Sequence, residues 1–196
     1  MPPRPRSRVT TRALAQAGVI AAVYAVATIA TLQIPGQLGW GPVQLRLSEA
    51  LTAIALFTPA AIPGLALGAV VANASLLAQV GPIALLDVVF GSTATLLGAV
   101  WTWRFRMRAG VALAGPVIFN ALIIPAYLPL MLAALGLSGE PLFGIDPAAG
   151  RVLVYLAGVV TVGAGQAFIV YGLGWPLATL LRRTGLADRL LHTASR

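Results

Sequence analysis

Read for where charge interrupts it, the chain falls into five long stretches without an acidic or basic residue: 13–45, 50–86, 88–103, 109–139 and 152–181. Each is long enough for at least one helix of the about 20 apolar residues that cross a bilayer, or nearly so. The first opens behind Arg4, Arg6, Arg8 and Arg12 and stays apolar from Ala13 to Leu32. That exceeds the core of a signal peptide, about 7–15 residues, and predicts a retained helix. The run 50–86 is interrupted by Pro59, Pro63 and Gly64, residues that break or turn a helix, so one kinked helix and a two-helix hairpin both fit its pattern.

Charge asymmetry chooses between them, because arginines flanking membrane helices collect on the cytoplasmic side. With a hairpin, the four N-terminal arginines, the three at Arg104, Arg106 and Arg108, and Arg182, Arg183, Arg189 and Arg196 all share one face. A single helix would send seven of those eleven outward. The predicted architecture is therefore an all-α membrane protein of six helices, about 12–33, 46–59, 62–79, 83–103, 109–136 and 152–181, with both termini cytoplasmic. The division is a basic tail (1–11), a membrane domain (12–182) and a second basic tail (183–196), the leading residues 1–8 being proline- and arginine-rich and expected to be disordered. Trp40 near the outer boundary and Trp101, Trp103 and Trp175 near the inner one match interfacial aromatic belts. The second helix is short, about 14 residues rising ~21 Å against a ~30 Å core. Backbone groups left bare by a short helix need protein or a water-filled cavity, which predicts that this segment lies inside the bundle beside a pocket.

Composition sharpens the class. Of 196 residues 59% are hydrophobic and 9% charged, against about 25% charged in ordinary globular chains, and the mean hydropathy is +0.91. All thirteen basic residues are arginine, cysteine is absent, and His192 is the single histidine. Without lysine there is no phosphate-binding P-loop and no Schiff base, and without cysteine no thiol nucleophile or thiolate metal site. One histidine builds no multi-histidine metal centre. Ser48, Ser75 and Ser92 have no histidine or lysine at membrane depth to act as base, which argues against an intramembrane enzyme. Neither a cofactor nor a metal is expected.

The polar residues left at membrane depth are then the informative ones. Arg46 and Glu49 open the short second helix, Asp87 lies about one turn inside the fourth, Asn73 in the third, and Asn120 and Gln166 near the middles of the fifth and sixth. Arg46 and Glu49, spaced i, i+3, are positioned to pair with each other, and the amides could be interhelical fasteners. Asp87 has no arginine near it in sequence and needs a partner or a function. On helix one, Ala13, Ala17, Ala21 and Ala25 recur every fourth residue, a smooth stripe for a close helix neighbour, either within the protein or in another subunit. Asn73-Ala74-Ser75 matches a glycosylation sequon, but inside a helix the match carries no meaning.

Two strings are specific. Gln44-Leu45-Arg46-Leu47-Ser48-Glu49-Ala50, and Asp87-Val88-Val89-Phe90-Gly91-Ser92, with Phe57-Thr58-Pro59 and Ala72-Asn73 between them, make residues 40–98 similar to the QueT family. Weaker echoes at Asn120-Ala121-Leu122 and Gly172-Leu173-Gly174-Trp175-Pro176-Leu177 extend the likeness over most of the chain. That family comprises S components of energy-coupling factor (ECF) transporters that import queuosine precursors. The resemblance implies a six-helix S component that captures its ligand near the extracellular face and assembles with a transmembrane coupling subunit and two ATPases. It assigns the alanine stripe to that docking, and places Gln166 where relatives often carry an acid.

For a 7-deazaguanine-type base, Glu49 or Asp87 would accept from ring and amino N–H groups, while Gln44, Arg46, Asn73 or Asn120 would donate to the carbonyl. Tyr155, Phe90 or Phe119 would stack, Gln166 would complete the set, and the 34–45 loop would cover it. Two other readings remain open: an S component for a different vitamin-like molecule, and a solitary proton- or cation-coupled carrier using Asp87 and Glu49.

Overall fold

The computed structural model describes residues 10–32, 46–134, 136, 145–146 and 150–194. Trp40, Gln44 and the 34–45 loop lie outside the described residues. Everything regular among those residues is helical. Helix α1 is Thr11–Leu32, α2 Leu47–Leu56, α3 Ala61–Ala84, α4 covers 87–104, α5 is Ala109–Ala134, α6 Arg151–Arg183 and α7 Leu186–Ala194. Four of them, α1, α3, α5 and α6, are long and apolar enough to cross a membrane.

Local chemistry sets several boundaries. The Thr10 hydroxyl accepts from the Ala13 amide at 3.2 Å, capping α1. The ambiguous run 50–86 is divided by a turn at 57–60, where the Ala61 amide donates to the Thr58 carbonyl and the Thr58 hydroxyl reaches Gln16 on α1 at 3.0 Å. Helix α2 is wound as a 3₁₀ helix over its 10 residues. At about 2.0 Å per residue this winding spans ~20 Å, whereas an α-helix of the same residues would span ~15 Å. The short segment is thereby stretched, and Ser48, Glu49, Ala50, Thr52, Ala53, Ala55 and Leu56 are buried.

Helices α1, α3, α4, α5 and α6 pack in series, each on the next, and α2 touches all five. At the α1–α3 contact, Gly64 and Gly68 lie so close to α1 that an added Cβ would stand 2.8 Å from the Ala17 carbonyl oxygen and 2.7 Å from that of Ala21. Ala17, Ala21 and Ala25 are buried there. Ala17 and Ala21 of the alanine stripe thus meet the chain's own α3. Ala13, one turn nearer the end, is only half-buried.

Three prolines, Pro116, Pro125 and Pro129, stand within α5. Pro116 has no N–H to give the Ala112 carbonyl, and Thr102 of α4 supplies the missing donor at 3.1 Å. The Trp101 indole likewise donates to the Val111 carbonyl at 2.9 Å. This kind of re-satisfaction is what allows proline inside apolar helices. Within the expected basic tail Leu186–Ala194 forms α7, whose Ala187 and Leu190 belong to one apolar cluster with Phe57, Ala112, Leu113 and Ala178.

Gly68→Leu should destabilise the protein by about 1–3 kcal/mol or more by forcing α1 and α3 apart. Gly18→Leu, where an added Cβ meets nothing within 4 Å, should leave stability within about 0.5 kcal/mol. Thermal melting of the two variants in the same detergent checks the contrast.

Candidate functional site

Polar residues drawn from between Tyr24 and Tyr127 converge where α2 enters the bundle. Arg46, immediately before α2, places Nη2 2.7 Å from Oδ2 of Asp87. Only 5% of Arg46 and 1% of Asp87 are exposed, so this pair has lost its water and depends on direct partners. The expected pairing of Arg46 with Glu49 is thus replaced by one with Asp87, 41 positions away. Three-residue spacing allows the local pair, but a tertiary partner in an apolar interior holds the guanidinium instead.

The second oxygen of Asp87 accepts from the Tyr127 hydroxyl of α5 at 2.5 Å. Its backbone carbonyl accepts from the Asn73 amide at 2.8 Å, and that nitrogen also approaches Ser92 Oγ at 3.4 Å. The same carbonyl also accepts from the Ser92 backbone amide, closing the π-helical turn Asp87–Gly91 that opens α4. Gly91 is required at the end of that turn, since a Cβ there would strike the Asp87 carboxylate.

Glu49 is wholly buried. Its Oε1 accepts from the Tyr24 hydroxyl of α1 at 2.5 Å and, at 3.5 Å, from Thr95 of α4. Below it Thr28 donates to Ser48 at 2.7 Å. Arg46 lies in extended backbone ahead of α2 and pairs with Asp87 of α4, while Glu49, within α2, meets Tyr24 of α1 and Thr95 of α4.

Asn120 on α5 and Gln166 on α6 are also buried. Asn120 donates to the Pro116 carbonyl at 2.9 Å, and neither amide is hydrogen-bonded to Asp87 or Glu49. Among the described residues, five buried side-chain atoms have no hydrogen-bond partner: Arg46 Nε, Glu49 Oε2, Asn73 Oδ1, Asn120 Oδ1 and Gln166 Oε1. Asn73, expected as a donor, already commits its N–H groups to Asp87 and Ser92, and its oxygen is what remains. Buried polar atoms left bare cost about 1–3 kcal/mol each, so each calls for a ligand, water or a further partner.

Other expectations shift. The Tyr155 hydroxyl donates to the Leu122 carbonyl at 3.0 Å and does not join the carboxylates. Phe119 stands edge-on to Trp101, with ring centroids 6.1 Å apart. Phe90 lies 6.1 Å from the Tyr127 ring and is 48% exposed. Tyr24 and Tyr127 were missed by sequence reasoning. Their signal was available, since a tyrosine in an apolar membrane helix carries an O–H that needs an acceptor.

A family model described as QueT transporter matches residues 14–183. The chain belongs to the QueT transporter family. It is accordingly a multi-pass membrane transporter component that binds a small-molecule substrate, and not an enzyme. No curated protein and no solved structure matches. The QueT match runs through α1 to the end of α6 and so includes every residue of the polar site.

Arg46→Gln and Asp87→Asn should each lower stability by about 3–5 kcal/mol, because each leaves the other charge buried alone. The double replacement Arg46→Met with Asp87→Leu should lose less than either single one. A double-mutant cycle of melting temperatures in detergent measures this.

Proposed function

We propose that this QueT-family chain is the substrate-binding S component of an ATP-driven ECF importer, capturing a 7-deazaguanine-type base, a queuosine precursor, from the extracellular side. The observation that carries the reading is the buried, incompletely satisfied polar set around α2. Arg46 Nε is an unfilled donor, while Glu49, Asn73, Asn120 and Gln166 offer unfilled acceptors. A guanine-like edge presents adjacent N–H donors beside one carbonyl, the complement of that set. With both Asp87 oxygens occupied by Arg46 and Tyr127, Glu49 becomes the carboxylate that meets the ring or amino N–H groups, and Arg46 the donor to the carbonyl. Asp87 then positions Arg46. Phe90 stacks.

The topology proposed with this function has six crossings and cytoplasmic termini in the cell membrane, α2 and α4 being the two shorter ones. Its support is that this topology gathers eleven of the thirteen arginines on one side, as the positive-inside rule favours. A chain without lysine has no P-loop, so the energy comes from two ATPases through a transmembrane coupling subunit.

Titration of the purified protein with 7-aminomethyl-7-deazaguanine by calorimetry should show saturable binding, and Glu49→Gln should weaken it about tenfold or more, the loss of a charge-assisted hydrogen bond. Binding of an unrelated vitamin with no response to deazapurines would reassign the substrate. Uptake by proteoliposomes containing this chain alone, abolished by Asp87→Asn, would favour the solitary carrier.

A further inference from the structure

The two buried carboxylates of the polar site are gripped alike and left in different states. Each has one oxygen taken by a tyrosine hydroxyl at 2.5 Å, Tyr24 on Glu49 and Tyr127 on Asp87. Arg46 fills the other oxygen of Asp87, whereas Oε2 of Glu49 has no partner among the described residues. A carboxyl group turns readily about its last side-chain torsion, whose energy wells are broad. The direction in which Oε2 faces is therefore set by what holds Oε1. Among the described residues two hydroxyls reach that oxygen. Thr95 does so at 3.5 Å, beyond the about 2.5–3.0 Å of an ordinary O–H···O bond, and it lies nearer the Gly91 carbonyl, at 3.3 Å. Tyr24 makes the short contact.

We propose that Tyr24 is a positioning residue of the substrate site: its hydroxyl fixes Oε1 of Glu49 so that Oε2 stays turned toward the ligand. This rests on the reading of Glu49 as the carboxylate that accepts from the ligand's N–H groups. Tyr24 can orient another side chain because its own place is fixed. It is 1% exposed and belongs to one apolar cluster with Ala55 of α2, Leu65 of α3 and Ala99 of α4. Gly68 of α3 lies so close that an added Cβ would stand 2.9 Å from the Tyr24 Cβ. One turn further along α1, Thr28 reaches Ser48 at 2.7 Å, so α1 grips two consecutive residues of α2.

With Oε1 committed to Tyr24, Glu49 offers the ligand one oxygen and not two. A base with two adjacent N–H groups then meets Glu49 through one of them, and an unfilled amide oxygen of Asn73, Asn120 or Gln166 through the other. Orienting the carboxylate while the protein folds removes that ordering cost from the binding step. Tyr24 thus acts on the ligand through Glu49.

The test titrates the full chain in detergent with 7-aminomethyl-7-deazaguanine by calorimetry. Tyr24→Phe, which keeps the ring and deletes the hydroxyl, should weaken binding about fivefold, the worth of roughly one hydrogen bond. Thr95→Val should weaken it by less than about twofold, as a long contact is worth less than a short one. Tyr171→Phe, which deletes a hydroxyl that donates to the Gly110 carbonyl at 2.7 Å, should leave it unchanged. Glu49→Met removes the oxygen that Tyr24 holds, so adding Tyr24→Phe to it should cost no further affinity, whereas a general loosening of the bundle would cost the same in both backgrounds. Unchanged affinity in Tyr24→Phe, with Glu49→Gln weakened, would overturn the positioning role and leave the reading of Glu49 standing. A larger loss from Thr95→Val than from Tyr24→Phe, or a Tyr24→Phe loss that persists in full on Glu49→Met, would also overturn it. A wild type that binds no deazapurine would overturn both.

Discussion

A guanidinium and two carboxylates held in an apolar bundle are the constraint around which this fold is arranged. Arg46 and Asp87 are affordable there only as a pair, and the pair exists only if the start of α2 meets the start of α4. Each remaining atom of Asp87 then enlists another element: Tyr127 brings in α5, and Asn73 brings in α3. Glu49 does the same for α1 through Tyr24. Four helices, α1, α3, α4 and α5, are thus tied to one short segment by hydrogen bonds in a medium where apolar packing alone gives little preference for one neighbour over another.

The irregular windings follow from the same requirement. A ten-residue α-helix is too short to carry Arg46 and Glu49 in and still reach the turn at 57–60, and 3₁₀ winding supplies the extra length. The π-turn at Asp87–Gly91 directs both a carboxylate and a backbone carbonyl inward. A second π-turn, Val170–Gly174, lies where α6 passes α2, and an added Cβ at Gly174 would stand 3.1 Å from the Ala50 carbonyl oxygen. Departures from α geometry are concentrated around the polar site, as is common where helices serve function. Elsewhere close packing relies on small residues, Gly64 and Gly68 against α1 and Gly98 against Pro116.

Function depends on what the network leaves unfinished. Asp87 is saturated by protein, so its charge serves to hold Arg46 in place. Glu49 keeps one bare oxygen, and the three amides keep theirs. A transporter component needs a site that is formed before the ligand arrives yet gains from its arrival, and unfilled acceptors on fixed helices meet both conditions.

The class was legible from the residues alone: apolar runs of membrane length, arginine asymmetry and the absence of lysine and cysteine are local or additive properties that need no coordinates. So were Arg46, Glu49, Asn73, Asp87, Asn120 and Gln166 as the polar residues at depth, because burying such groups is expensive wherever they lie. The pairing among them was not, because the i, i+3 spacing of Arg46 and Glu49 and the 41-residue gap to Asp87 carry no information about which contact wins once water is excluded. The alanine stripe shows the same limit, since four small residues announce a close neighbour without naming it, and only the position of Gly64 and Gly68 shows that Ala17 and Ala21 meet α3. Tyr24 and Tyr127 became site residues, and α7 a packed helix, through contacts that exist only after the chain has closed on itself. Composition and periodicity determined the medium, the elements and the costly residues; the tertiary structure decided their partners, because a buried charge selects its counterpart by proximity in space and not along the chain.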